Sequence, residues 1–155
     1  MTDEFVRKMN KRHEIVGKVL TNCNTLETIM TTMIRCYYFG PIMEKSAEFY
    51  NTFLMGTTGQ IFNIFNTLNF KVPVGEEKKF DDSKKEILEL VKIRNTLAHG
   101  ELFLINPDGT YHLWNKKSKW FDFSEDFAKA YENRTWKVII SLSMIMNYNK
   151  WYDTA

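Results

Sequence analysis

The stretch KEILELVKIRNTLAHG, from Lys85 to Gly100, is the clearest guide to the fold of this chain. Its apolar residues recur with the spacing of one helix face, and they are Ile87, Leu88, Leu90, Val91 and Leu97. Ser83 and Glu86 match a capping box, and glycine is the residue that most often follows a helix end. The pattern predicts a helix that begins at Ser83 and stops near His99–Gly100.

A longer apolar repeat opens the chain. Its members mostly recur at steps of three or four, and they are Phe5, Met9, Val16, Leu20, Cys23, Leu26, Met30, Met33, Ile34 and Tyr37. Thr2 or Asp3 can cap its start, and Gly40-Pro41 ends it. We therefore expect a helix of about 35 residues, long enough to form the backbone of a helical bundle.

Two further helical stretches lie between these helices. One runs from about Ile42 to Leu54, and the other restarts at Thr57 or Thr58 and continues to about Asn69, although both can belong to one kinked helix. The next segment, 71–82, is rich in charge and contains Pro73 and Gly75. It is the best candidate for a long exposed loop.

After the motif helix, two short runs at Glu101–Ile105 and Tyr111–Trp114 flank the turn sequence Asn106-Pro107-Asp108-Gly109, which predicts a β-hairpin. Ser124 then caps a last long helix that ends near Trp151. The prediction is an all-α fold: an antiparallel bundle of four to five helices, with a small β-hairpin before the last helix, in one domain over residues 1–155.

The composition is that of a folded, intracellular domain. Of 155 residues, 44% are hydrophobic and 15% aromatic, and the net charge of +2 is compatible with nucleic acid without arguing for it. Cys23 and Cys36 share one predicted helix, roughly 20 Å apart, so they are expected to stay reduced. The charged N-terminus does not resemble a secretory signal, and no apolar run is long enough to span a bilayer. We expect a cytoplasmic protein without a membrane partner.

Two explanations fit the segment RNTLAHG, Arg94 to Gly100. A helix that simply ends here accounts for Gly100, and a histidine in the last turn is favourable to the helix dipole. The same residue types also suit RNA cleavage without a metal, because histidine serves as acid or base near neutral pH and arginine holds phosphate oxygens. Asn95 stands four residues before His99 on one helix face, whereas Arg94 lies roughly 140° around the helix from His99.

Arg94-Asn95-x3-His99, followed by Gly100, resembles the Arg-x4-6-His motif of HEPN domains, in which asparagine often follows the arginine. The outline is also similar: all-α, with a long first helix that closes with LETIMTTMIRCYYF (26–39), the motif near the end of a later helix, and a further helix after it. The hairpin lies outside the common core of that family.

The resemblance implies a metal-independent endoribonuclease that leaves a 2′,3′-cyclic phosphate, often a homodimer with both motifs in one cleft. It implies that Arg94 holds the scissile phosphate, that His99 is the acid–base group and that Asn95 orients one of them. Family members act as toxins, antiphage effectors or RNA-processing enzymes, so RNA is the expected partner and an antitoxin or regulator a further one. Other members bind without cleaving, which leaves a nucleotide- or RNA-binding module as the alternative.

Several other residues can support such a site. Glu27 can hydrogen-bond to the motif or face solvent, and Arg35, Lys116, Lys117 and Lys119 can contact RNA. For Arg35 we expect an exposed side chain beside buried tyrosines, and for the lysines a solvated turn. The cysteines and histidines show no ligand spacing, and there is no glycine-rich phosphate loop, so the sequence predicts neither a metal nor a cofactor.

Overall fold

A computed structural model of the chain describes residues 2–40, 56–99, 102–105, 111–115 and 119–151, with the side chains of 2–40, 56–99 and 124–151. Within these residues the helices are α1 Asp3–Phe39, α2 Thr58–Thr67, α3 Glu77–Ala98 and α4 Glu125–Tyr148, and the strands are β1 Leu102–Ile105, β2 Tyr111–Asn115 and β3 Lys119–Phe123. The predicted helical bundle is confirmed in this part of the chain. The helix expected at 42–54 lies outside it.

Both ends of α1 follow the local sequence. The Thr2 side chain accepts a hydrogen bond from the backbone N–H of Phe5 at 3.4 Å. At the other end, Gly40 has a φ of 69°, and its N–H donates to the carbonyl of Cys36 at 2.8 Å. A positive φ favours glycine, which explains why the helix stops where the sequence predicts.

The start of α3 differs from the prediction. The helix begins at Glu77 rather than Ser83, and its first residues have no side-chain cap. Ser83 instead lies inside the helix, where its hydroxyl donates to the carbonyl of Lys79 at 3.0 Å. Phe80 explains the additional turn, because its ring is buried against Phe65 and Phe70 and tertiary packing stabilises a helix start that lacks a cap.

Contacts between α3 and α4 show that these helices run antiparallel. The hydroxyls of Ser83 and Ser141 are 3.0 Å apart, and further along α3 the hydroxyl of Tyr131 donates to the carbonyl of Leu90 at 2.8 Å. As the residue number rises along α3, the number of the residue contacted on α4 therefore falls. The prediction of antiparallel neighbours holds for this pair.

The first and last helices, α1 and α4, are a pair for which the sequence predicted no direction. Near the starts of both helices, Lys11 Nζ lies 3.0 Å from Glu125 Oε1. Near their ends, the rings of Tyr37 and Trp151 both pack on Phe70. The two helices therefore run parallel. Short connections favour antiparallel neighbours only between consecutive helices, and α1 and α4 are not consecutive.

The three strands form an antiparallel sheet in the order β1-β2-β3. Leu102 pairs with Trp114 between the first two strands, and Tyr111 pairs with Phe123 between the second and third. The sequence indicated only two strands here, and β3 occupies part of the segment that was expected to be a solvated turn. The predicted turn at 106–109 lies outside the described residues.

Candidate functional site

Arg94 lies in the last turns of α3, where this helix faces both α1 and α4. Its side chain is half-buried, and its Nη1 donates to Oδ1 of Asn95 at 3.1 Å. Its Nε is buried and makes no hydrogen bond within the described part of the chain. The guanidinium is therefore buried at Nε and held at Nη1 by the side chain of Asn95.

A buried polar pair from the two neighbouring helices lies beside this guanidinium. Cys23 of α1 and Tyr131 of α4 lie close enough for each to influence the pKa of the other, and they are 0% and 1% exposed. Burial raises the pKa of both groups, and the nearby Arg94 cation opposes part of that rise. Both side chains thus remain neutral at ordinary pH, and neither supplies the negative charge that would neutralise Arg94.

Arg94 also has no carboxylate partner among the residues that the structure describes. Arg134 shows the usual arrangement for comparison, since its guanidinium pairs with the carboxylate of Glu86. A partly buried cation with an unsatisfied N–H is unfavourable unless something compensates it. The Nε itself is closed to solvent, so an anion from solvent would meet the exposed part of the guanidinium.

His99 is the residue at which α3 ends. Its backbone N–H donates to the carbonyl of Asn95 at 3.0 Å, and its φ of −117° and ψ of 15° are no longer helical. The imidazole is exposed, as is the side chain of Asn95. In the described residues no hydrogen bond joins the imidazole to Arg94 or Asn95. The structure therefore brings Arg94 and Asn95 together but does not join His99 to them within one chain.

Glu27 has a role that neither sequence-based explanation anticipated. Its carboxylate is half-buried and accepts a hydrogen bond from the Thr58 hydroxyl at 2.6 Å. This bond ties α1 to the first turn of α2, so Glu27 neither bonds the motif nor faces solvent freely. It still contributes negative charge near Cys23, one helical turn away.

The expectation for Arg35 and the tyrosines beside it is reversed. Arg35 is only 8% exposed and its Nη2 lies 3.5 Å from Sγ of Cys36, whereas Tyr37 and Tyr38 are 40% and 53% exposed. The cause is the end of α1, where the consecutive residues 33–36 are all buried, so even a cation there is covered. Arg35 is therefore not placed for direct contact with RNA.

The three lysines follow β2 in the chain. Lys116 and Lys117 lie outside the described residues, and Lys119 opens β3, where only the backbone is described. In the described part of the chain, no group of three or more His, Cys, Asp and Glu residues is arranged to hold a metal ion. No helix in that part is long and apolar enough to cross a membrane.

Sequence reasoning placed Cys23 on a core face and Tyr131 on another, but did not connect either to Arg94. No local signal links them, because the contact depends on the packing of three helices. Searches for similarity found no matching protein-family model, curated protein or solved structure. The case for a function therefore depends on the residues of this chain.

Proposed function

We propose that this protein is a metal-independent endoribonuclease of the HEPN type that acts as a homodimer. The observation that carries the proposal is Arg94, a half-buried guanidinium with an unsatisfied Nε and no carboxylate partner in the described residues. A phosphodiester is the anion that fits best, because arginine presents a planar fork of donors to phosphate oxygens.

Each residue of the motif has a role in the proposed reaction. Arg94 holds the scissile phosphate and stabilises the charge that builds on it, and Asn95 orients the guanidinium through its Oδ1. His99 takes the proton from the ribose 2′-hydroxyl or protonates the leaving 5′-oxygen, since histidine is the side chain used most often for proton transfer and this imidazole is exposed. The products carry a 2′,3′-cyclic phosphate at one end.

A homodimer supplies what one chain lacks. Acid–base cleavage needs a base and an acid, and one chain contributes a single motif histidine. Two motifs that face each other across a two-fold axis supply two histidines, so that one can act as the base and the other as the acid. The exposed position of His99 at the end of α3 supports this arrangement, because a second chain can reach it. As a toxin or antiphage effector in the cytoplasm, such an enzyme also needs an antitoxin or another regulator.

Cleavage of a labelled oligoribonucleotide in EDTA tests the proposal. We expect wild type to produce 2′,3′-cyclic phosphate ends, and Arg94→Ala and His99→Ala each to lower the rate by at least 100-fold, in the range of lost acid–base or phosphate contacts. Lys78→Ala is a matched control, because this exposed lysine lies in the first turn of α3, at the opposite end of the helix from the motif. Wild type that cuts no RNA in EDTA would exclude the nuclease.

A non-catalytic binding module is the second candidate. It is favoured by one observation, that no hydrogen bond joins His99 to Arg94 or Asn95 within the described chain. In this case Arg94 still holds a nucleotide or RNA phosphate, and His99 is only the end of a helix. RNA binding that Arg94→Ala weakens and His99→Ala leaves unchanged, with no cleavage by wild type, would identify this function.

A further inference from the structure

Tyr131 carries a buried hydroxyl group that has no part in the proposed reaction. Its side chain is among the largest that the core encloses completely. Ala128 and Thr135, about one turn before and after it on α4, are also buried. Tyr131 therefore lies in a closely packed part of α4, where its ring has little freedom to move.

The hydroxyl of Tyr131 holds the part of the α3 backbone from which Arg94 extends. It donates to the carbonyl oxygen of Leu90 at 2.8 Å. Leu90 and Arg94 are four residues apart in α3, so they lie on one face of the helix. In a regular α-helix the Leu90 carbonyl also accepts the backbone N–H of residue 94. A displacement of this peptide group would therefore displace Arg94 as well.

The same hydroxyl is a neutral neighbour of the Arg94 cation. A phenol has one proton, and Tyr131 donates it to Leu90, so the lone pairs of its oxygen remain free to face other groups. Burial raises the pKa of Tyr131, and the charge of Arg94 acts in the opposite direction, so the two groups are close enough to interact. A neutral oxygen stabilises a nearby guanidinium without cancelling its charge.

Arg134 shows how an arginine between the same two helices looks when its role is structural. Its guanidinium pairs with the carboxylate of Glu86, which neutralises it. Arg94 differs, because its Nη1 donates to the neutral amide oxygen of Asn95 and the described part of the chain gives it no carboxylate partner. Arg94 is thus held by neutral groups and keeps its charge for a ligand.

We propose that Tyr131 is a positioning residue for the anion site at Arg94. Through the Leu90 carbonyl and its own neutral oxygen, it fixes the guanidinium so that the exposed part can meet a phosphate. The proposal rests on the proposed function, in which Arg94 holds a phosphate, and it applies equally to the nuclease and to the binding module.

Ser141 provides a matched control for a purely structural role. Its hydroxyl lies 3.0 Å from that of Ser83, and both side chains are buried between α3 and α4. Ser83 comes eleven residues before Arg94, which is about 16 Å along the helix. Ser141→Ala therefore removes a buried hydroxyl contact between the same two helices, far from Arg94.

The Nε–H group of Arg94 reports its position without RNA. Because this Nε is buried, its proton should exchange slowly with solvent in a nitrogen-15 NMR spectrum, and Arg94→Lys identifies the signal by removing it. We expect Tyr131→Phe to shift the signal and to speed its exchange by at least about tenfold, and Ser141→Ala to change neither. An unchanged signal and exchange rate in Tyr131→Phe, or an equal change in Ser141→Ala, would overturn the proposal whatever the protein does with RNA.

Binding of a fluorescent 2′-O-methyl oligoribonucleotide, which lacks the 2′-hydroxyl and cannot be cleaved, tests the link to phosphate. We expect Tyr131→Phe to weaken binding by at least about threefold in the wild-type background and to have no effect in Arg94→Ala. The same loss in both backgrounds would show that Tyr131 acts on the fold alone, against the proposal. Wild type that does not bind the oligonucleotide would reject the proposed function, whereas the Nε–H signal would still decide whether Tyr131 positions Arg94.

Discussion

The hydroxyl of Tyr131 donates to the carbonyl of Leu90 across 2.8 Å, and this bond joins the last helix of the bundle to α3 one turn before Arg94. The same carbonyl is the one that accepts the backbone N–H of residue 94 in a regular α-helix. Tyr131 also lies near Cys23 of α1, close enough for the two groups to influence each other's pKa. Three helices therefore meet at the point from which the Arg94 side chain extends.

Replacement of Tyr131 by phenylalanine should lower the free energy of unfolding by about 1 kcal/mol, the usual contribution of one buried hydrogen bond. The ring keeps its volume, so no cavity forms. Urea unfolding followed by tryptophan fluorescence measures the change. Tyr148→Phe is the control, because that side chain is 52% exposed and should leave the midpoint unchanged. Equal midpoints for Tyr131→Phe and wild type would show that the hydroxyl contributes nothing net.

The free energy of unfolding should fall as the pH rises above about 9, which is the ordinary pKa of a cysteine thiol. Burial raises the pKa of Cys23, Cys36 and Tyr131 in the folded state. Above the unfolded pKa the unfolded chain therefore holds fewer protons than the folded chain, and the free energy of unfolding decreases with pH. Urea midpoints between pH 8 and 11 test this, and Tyr131→Phe should flatten the decline. A midpoint that rises over this interval would contradict the sign.

Arg94→Met should leave stability unchanged or increase it, although the same variant should lose phosphate binding. The reason is that Arg94 has an unsatisfied buried Nε and no carboxylate partner in the described residues, so a flexible apolar side chain removes an unfavourable charge. Arg134→Met is the contrasting variant: it leaves the half-buried Glu86 without its partner and should destabilise modestly. Thermal unfolding compares the two. A clear loss of stability in Arg94→Met would show that the fold itself needs the guanidinium.

Ser83→Asp distinguishes a helix interior from a helix start. At an N-cap, aspartate is as favourable as serine. Ser83 is instead 8% exposed and lies 3.0 Å from the hydroxyl of Ser141, so a carboxylate there is buried without a cation. We expect Ser83→Asp to destabilise strongly in urea unfolding. The corresponding Ser124→Asp, at the observed cap of α4, should be nearly neutral.

Two glycines of the same helix should respond in opposite directions to alanine. Gly17 lies inside α1 with open space around its Cα, so Gly17→Ala should stabilise by about 0.5–1 kcal/mol. Gly40 ends α1 with a φ of 69°, where alanine is strained, so Gly40→Ala should destabilise by about 1 kcal/mol or more. Thermal midpoints of both variants test the pair. Destabilisation by Gly17→Ala would indicate that this surface of α1 is covered.

Local signals in the sequence predicted a helix start correctly where a side-chain cap determines the first residue of the helix. Thr57 forms the predicted start of α2 with a capping box to Gln60, and Ser124 caps α4 through the N–H of Phe127 at 3.3 Å. Ser83 matched the same pattern and was misleading, because buried Phe80 extends the helix past it. A capping pattern predicts a start only where packing does not extend the helix.

At the candidate site, too, the sequence predicted the local features but not those that depend on tertiary packing. Arg94 and Asn95 were identified from their types and spacing, and their hydrogen bond is present. The environment of Arg94 was not foreseen, since Cys23 and Tyr131 read only as apolar positions on their own helices. The burial of Arg35 was missed for a related reason: its own helix gives no sign that neighbouring elements cover its last turns.

The sequence by itself determined that this chain is a helical bundle, where α1 begins and ends, and which residue types stand at the end of α3, because periodicity, capping and glycine conformation act over a few residues. Only the tertiary structure decided that α1 and α4 run parallel, that a neutral pair from these helices lies beside Arg94, and that Trp136, Ile140 and Met144 on α4 are exposed. These properties depend on which helices pack together, and the free energy of that packing comes from residues that are distant in the chain.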